Sequence, residues 1–190
     1  DPVESMKTVI ELCKEDNVTA EFVTSMLRPG LGNRDGILMT KASQQLALDA
    51  LEKGVVNILN SDGQSASAMK GFGDTRDNIP ALIELANEGV LSLSDSIATM
   101  TNNVAQLMFD ITKNKWWERE VGHLGVGALA NITVIDKDDK LATYTIVNGD
   151  IVSFENRAVR KGNGAGGLVS KFGMLKRIGI GDLPMHSYKK

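Results

Sequence analysis

One cysteine, two histidines and four prolines are all that 190 residues hold of those types. Each shortage excludes something. Cys13 alone cannot close an internal disulfide, which fits a reducing compartment. Its apolar helical surroundings mark it as a small core residue rather than a reactive thiol. His123 and His186 lie far from each other and from Cys13 in sequence. They cannot supply the three or four nitrogen and sulfur ligands that a zinc site takes. His123, in "GHLG", reads as a turn or surface residue. No apolar run is long enough to span a bilayer and no signal-peptide pattern is present, so a soluble cytoplasmic protein with no membrane partner is expected. A net charge of −3 argues against nucleic acid as a partner. The charge is uneven, with eight Lys or Arg against one acidic residue from Arg157 onward. That basic stretch reads as a solvated segment. A starting methionine is also missing. "DPVESMKTV" opens as a helix would, with Asp1 as N-cap and Pro2 in the first helical position, and so suggests a piece of something longer.

What is there suffices for a real core, since 42% of the residues are apolar. Val3, Met6, Val9, Ile10 and Cys13 recur at helical spacing, which predicts an amphipathic helix over residues 2–15. "NVTAEFVTSML", residues 17–27, is rich in β-branched residues and predicts a strand. "RPGLGNRDG" is loop. "KASQQLALDALEKG" predicts a second helix stopped at Gly54, and "VVNILN" a second strand. Helix, strand, helix, strand is the order of parallel βα units. A third helix is predicted in "DTRDNIPALIELANEG", capped by Asp77 or Asn78, with Pro80 in its first turn. "LSLSDSIATM" and "TNNVAQLMFDI" predict two short helices, each opened by a Ser or Thr cap. From Trp116 the pattern alternates and predicts three antiparallel strands, broken at Asp-Asp and at Asn148-Gly149, a strong hairpin signal. Trp116-Trp117 is expected to close packing between the helical part and this β module. The stretch after Arg160 holds 7 of the 19 glycines and is expected to be extended or loop.

These readings divide the chain into residues 1–115 (βα units), 116–160 (β module) and 161–190 (a glycine-rich basic tail). Asp62 falls at the C-terminal tip of the second strand, where parallel α/β folds keep their chemistry. A carboxylate there can ligate a divalent metal and take a proton from bound water. It can equally close a turn as an Asx residue, and position alone balances the two. "KGNGAGG" and "KGFGD" lack the spacing of a phosphate-binding loop.

Several segments together resemble the amidohydrolase superfamily. "NVTAEFVTSML" and "SQQLALDALEKGVVNILNSDG" look like barrel strands seven and eight with the helix between them. "GVLSLSDSIATMTNNVAQLM" is similar to the segment that follows the barrel. "GHLGVGALANITVIDKDDKLATYTIVNGDIV" is similar to the closing β module. The resemblance covers roughly residues 1–155 and rests on the order of the segments. It implies an α/β fold: the last two βα units of a (β/α)8 TIM barrel, then part of a small β-sandwich. It further implies a hydrolase acting on non-peptide C–N bonds of a small-molecule amide. Asp62 would be the catalytic base and a metal ligand, with Ser61, Gly63, Gln64 and Lys70 bordering the substrate. One or two divalent ions, most often zinc, would be the cofactor, and their other ligands would lie before Asp1. This stretch alone would then be inactive, and its open sheet edges would favour a homo-oligomer or association with the missing N-terminal part.

The sequence departs from the cyclic amidases in having Gly63 where they carry histidine, and "TSML" where they end strand seven in "PHHL" or "PQYL". The Ser-Asp-Gly triplet is closer to N-acyl-D-amino-acid deacylases. The rival expectations are a non-catalytic scaffold or assembly module on the same fold, and a free-standing binding domain unrelated to barrels.

Overall fold

The computed structural model describes residues 2–15, 17–28, 39–62, 75–155 and 157–159, with the short strands Leu168–Val169 and Leu175–Lys176. The chain divides into two compact units, Asp1–His123 and Leu124–Lys190. It is a mixed α/β protein.

In the first unit the predicted alternation of helix and strand is present. α1 (Pro2–Leu12) precedes β1 (Glu21–Val23), and α3 (Lys41–Glu52) precedes β2 (Ile58–Asn60). β1 and β2 pair in parallel, with Glu21 opposite Ile58, Phe22 opposite Leu59 and Val23 opposite Asn60. The cap expected at Asp1 and the loop "PGLGNRDG" lie outside the described residues.

β1 is shorter than the sequence predicts. At Thr24 the chain leaves the strand and enters a one-turn helix, α2 (Thr24–Leu27). Its carbonyls explain the change. The Gln44 side-chain amide, on α3, donates to the carbonyl oxygens of Met26, Leu27 and Arg28 at 3.0, 3.2 and 3.2 Å. Those acceptors would have no intrahelical partner. A tertiary partner thus overrides the strand preference of the β-branched run.

Phe22 and Leu59 face the helices and join Leu27, Leu48, Leu51 and Leu85 in the core, with Met6, Ile10 and Cys13 of the α1 side packed against it. Cys13 is a half-buried free thiol. α3 ends in a Schellman motif: Gly54 at φ 66° donates to Leu51 O and Val55 to Ala50 O, both at 2.9 Å. α4 (Asn78–Asn87), entered through a 3₁₀ turn at Thr75–Asp77, repeats that ending at Gly89 and Val90. The recurring "EKGVV" and "NEGVL" spell this stop.

α5 (Leu93–Ala98) opens on the Ser92 cap as expected. Ser92 Oγ accepts the Asp95 N–H at 3.1 Å and donates to the Asp95 carboxylate at 2.6 Å. Two other expected caps fail. Thr101, before α6 (Asn102–Thr112), makes no side-chain cap and donates its hydroxyl back to Ile97 O at 2.9 Å. Asp77, before α4, makes no cap bond and turns its carboxylate to Arg28. The guanidinium brings a full opposite charge to the carboxylate where a backbone N–H brings only a dipole, so Arg28 outcompetes the cap.

The outer edge of β2 is occupied. Leu59 N–H donates to Thr99 O at 3.1 Å, and the Asn103 amide donates to Asn57 O at 2.8 Å. The first unit ends with α7 (Trp116–Glu120), so the tryptophan pair opens a helix where a strand region was expected. The two rings meet edge to face at 4.8 Å. Gly122, at φ 82°, passes so close to α6 that a Cβ there would lie 2.8 Å from Ala105 Cβ.

The second unit carries an antiparallel sheet in sequential order: β3 (Ile132–Asp136), β4 (Leu141–Val147), β5 (Asp150–Phe154) and β6 (Arg157–Ala158). A further antiparallel pair, β7 (Leu168–Val169) and β8 (Leu175–Lys176), follows. The β4–β5 hairpin turns at Asn148 and Gly149, both at positive φ, which is the type I′ geometry that the Asn-Gly pair prefers. Tyr144 and Phe154 are cross-strand partners with rings edge to face at 5.4 Å. No helix among the described residues is long and apolar enough to cross a membrane.

Candidate functional site

The parallel pair defines a polarity, and its C-terminal end is where such folds place ligands. Asn60 ends β2, and the chain then turns sharply. The Asn60 side-chain oxygen accepts the Asp62 N–H at 2.8 Å, and Asp62 takes φ 47°. This is an Asx turn, and left-handed backbone is tolerated by aspartate far better than by bulky residues. Ser61 is half-buried and the Asp62 side chain faces solvent. Of the five predicted site residues, the structure describes Ser61 and Asp62, which are neighbours in the chain. Gly63, Gln64 and Lys70 lie outside the described residues.

Ser61 also lies on the wall of a groove of about 990 Å³, with Glu21, Ile58 and Asn60 on the sheet side and Leu107 and Ile111 on α6. Small-molecule sites fall in this size range and combine apolar walls with a few polar groups. Glu21, Ile58 and Asn60 are in register positions opposite or diagonal to each other, so one face of the sheet supplies this wall, with Glu21 and Asn60 as its polar groups.

The end of β1 is fixed by a second set of polar contacts. The Arg28 guanidinium donates to both oxygens of Glu84, at 2.8 and 3.0 Å, and to Asp77. The three side chains retain only 12, 16 and 21% of their exposure. The bond to Glu84 holds the Arg28 guanidinium even further above its ordinary pKa, with burial opposing and Asp77 assisting. Thr24 donates to Asn78 at 3.1 Å. Ser25, adjacent, is 1% exposed, and its hydroxyl has no hydrogen-bond partner among the described residues.

Sequence reasoning missed Asn60, Gln44 and Arg28. A signal existed for the first, because Asn-x-Asp before glycine is an Asx-turn pattern. None existed for the others, whose partners are 16 to 56 residues away in the chain.

Among the described residues no group of three or more His, Cys, Asp and Glu is placed to hold a metal ion. A zinc ion takes at least three protein ligands. Chemically, the arrangement offers an exposed carboxylate at a strand tip, a hydroxyl beside it and an adjoining groove.

No protein-family model matches the sequence, and no curated protein matches it significantly. The fold is similar to that of a solved structure, a beta-aspartyl dipeptidase from Fervidobacterium islandicum AW-1 in complex with a beta-Asp-Leu dipeptide. The two share 16% identity at a TM-score of 0.55 over 84% of this chain. The match spans 39% of that enzyme's chain, so this sequence corresponds to about two fifths of it.

Proposed function

We propose that this chain is the C-terminal part of a metal-dependent hydrolase that cleaves the C–N bond of a small amide, built on a (β/α)8 barrel and a β-sandwich module. The observation that carries this reading is the parallel register of β1 and β2, which sets Asp62 just beyond the C-terminal end of the sheet. The fold likeness to a dipeptidase, itself an amide-bond hydrolase, supports it.

In this reading Asp62 is the proton-accepting carboxylate, and Ser61 and the adjoining groove take part of the substrate. Gly63, Gln64 and Lys70 border it. A divalent metal, zinc first among them, would be held by Asp62 with ligands from outside these residues. Bound there, the metal would lower the pKa of a water and so supply hydroxide near pH 7. Asp62 would accept the proton that attack releases and pass it to the departing nitrogen. Because it offers one ligand, the 190-residue chain is inactive alone and associates with the rest of its protein or with itself, in the cytoplasm.

The test compares this chain with its full-length protein, on a β-aspartyl dipeptide and on an N-acyl-D-amino acid, with metal analysis of both. Hydrolysis by the full-length protein alone, lost with chelator and with Asp62→Asn, is expected. Stoichiometric tight zinc in the 190-residue chain would contradict the assignment of the missing ligands. The second reading, a non-catalytic scaffold, is favoured by one observation, the Asx turn that gives Asp62 a purely structural reason to be there. Full-length protein that binds no metal and hydrolyses neither substrate would establish it.

A further inference from the structure

The sheet that presents Asp62 is small. β1 and β2 share three register pairs, the last being Val23 with Asn60. Beyond that pair both chains turn away, β1 into α2 and β2 through the Asp62 turn. Something other than the strand ladder must hold the two ends in register.

The contacts that do so converge on α2. Arg28, the residue after that helix, reaches Glu84 through two nitrogens and Asp77 through a third. Thr24, its first residue, reaches Asn78. Asp77 ends the turn before α4, Asn78 opens that helix and Glu84 lies in its second half, so the contacts run along α4. Gln44 meanwhile collects the three carbonyls at the other end of α2. The chain leaving β1 is therefore tied to α4, and the end of β1 is in turn paired with Asn60 at the end of β2.

We propose that Arg28 is a positioning residue for the Asp62 end of the sheet, locking α2 to α4 so that the end of β1, and through the Val23–Asn60 pair the tip of β2, keep their relative placement. A planar guanidinium suits this role because its fixed fork engages both oxygens of Glu84 and still has a nitrogen for Asp77. A lysine ammonium at this position keeps the charge and loses the fork. The functional meaning of this inference rests on the reading of Asp62 as a catalytic carboxylate. The positioning itself can be measured without any activity.

The experiment is amide hydrogen exchange by NMR on the 190-residue chain and its Arg28→Gln, Arg28→Lys and Glu84→Gln variants. The reporter is the Asp62 amide, which is bonded to Asn60. The controls are Ala105 in α6, bonded to Thr101, and Thr145 in β4. Exchange at Asp62 is expected to quicken at least fivefold in Arg28→Gln and Glu84→Gln, with the controls within twofold. Arg28→Lys should give an intermediate increase, and it decides the matter if Arg28→Gln fails to fold. Faster exchange at Leu82 in α4 with Asp62 unmoved would assign Arg28 to helix packing alone and overturn the proposal. Should the full-length protein prove to hydrolyse nothing, the catalytic reading of Asp62 falls while the exchange result stands on its own.

Discussion

The side chain of Asn60 accepts the backbone N–H of Asp62 at 2.8 Å, so the last residue of β2 sets the conformation of the residue that carries the carboxylate. The two roles of this pair can be separated. Asp62→Gly keeps the left-handed backbone at no steric cost and removes the carboxylate. We expect the melting temperature of this variant to stay within a degree or two. Hydrolysis by the full-length protein should fall at least about 100-fold, the usual contribution of a general base. Asn60→Ala should do the reverse, costing about 0.5–1.5 kcal/mol in a denaturant titration through loss of the turn bond. An Asp62→Gly protein of full activity would remove Asp62 from the chemistry.

Ser25 gives a prediction of opposite sign to most core substitutions. Its hydroxyl is buried without a partner among the described residues, and a buried unsatisfied polar group costs about 1–3 kcal/mol. Ser25→Ala removes the hydroxyl and leaves only a small void. We expect it to stabilise the first unit by about 1 kcal/mol, measured as a higher denaturation midpoint with an unchanged slope. A lower midpoint would show that the hydroxyl is satisfied.

Gly122 is expected to tolerate no side chain. At φ 82° any L-residue is strained, and a Cβ would also lie 3.1 Å from Asn102 Cα and 3.2 Å from Thr101 O. Those two are backbone atoms at the start of α6 and cannot swing aside. Gly122→Ala should cost about 2–4 kcal/mol, combining the backbone penalty with overpacking. Thermal unfolding measures it, and a loss below about 0.5 kcal/mol would mean that the segment after α7 relocates freely.

The β3–β4 turn should be acid-sensitive. Asp136 accepts the backbone N–H of Asp139 at 3.0 Å and of Asp138 at 2.9 Å. These two bonds, the one from Asp139 first, hold its carboxyl below the ordinary aspartate range. A folded pKa that is depressed contributes stability above the unfolded value and loses it as pH falls through the folded one. The carboxyl carbon of Asp136 should therefore titrate below that of an unstructured aspartate by NMR, and Asp136→Asn should flatten the acid limb of hairpin unfolding. A midpoint at or above the unstructured value would contradict the turn geometry.

What could be read in the sequence was local. Gly54 and the Asn148-Gly149 turn announce themselves because their backbone needs positive φ, which few residues accept. The helix and strand order followed from periodicity in the same way. Two of the errors arose where a distant partner decided the outcome. Thr24 to Leu27 have strand propensity, yet Gln44 across the core makes a helical turn possible there. Asp77 has the identity of a cap, yet Arg28 claims its carboxylate. Trp116 opens a helix although the pattern after it alternates. The candidate site divides along the same line. The position of Asp62 at a strand tip was legible, while the Asn60 turn was only hinted at. The Arg28 tie between strand ends depends on residues 49 and 56 apart, which no window of sequence could connect.

The hydrogen bonds on the outer edge of β2 bear on whether a foreign strand can add there. An unpaired strand edge is a template on which a foreign strand can grow, and a short apolar segment such as "VVNILN" is prone to it. Thr99 and Asn103 occupy that template with a backbone carbonyl and a side-chain amide, neither of which continues a ladder. Asn103→Ala would reopen one rung. The corner between α5 and α6 therefore works as a stopper in this chain, one that engages the Leu59 N–H and the Asn57 carbonyl without offering a further strand to extend them.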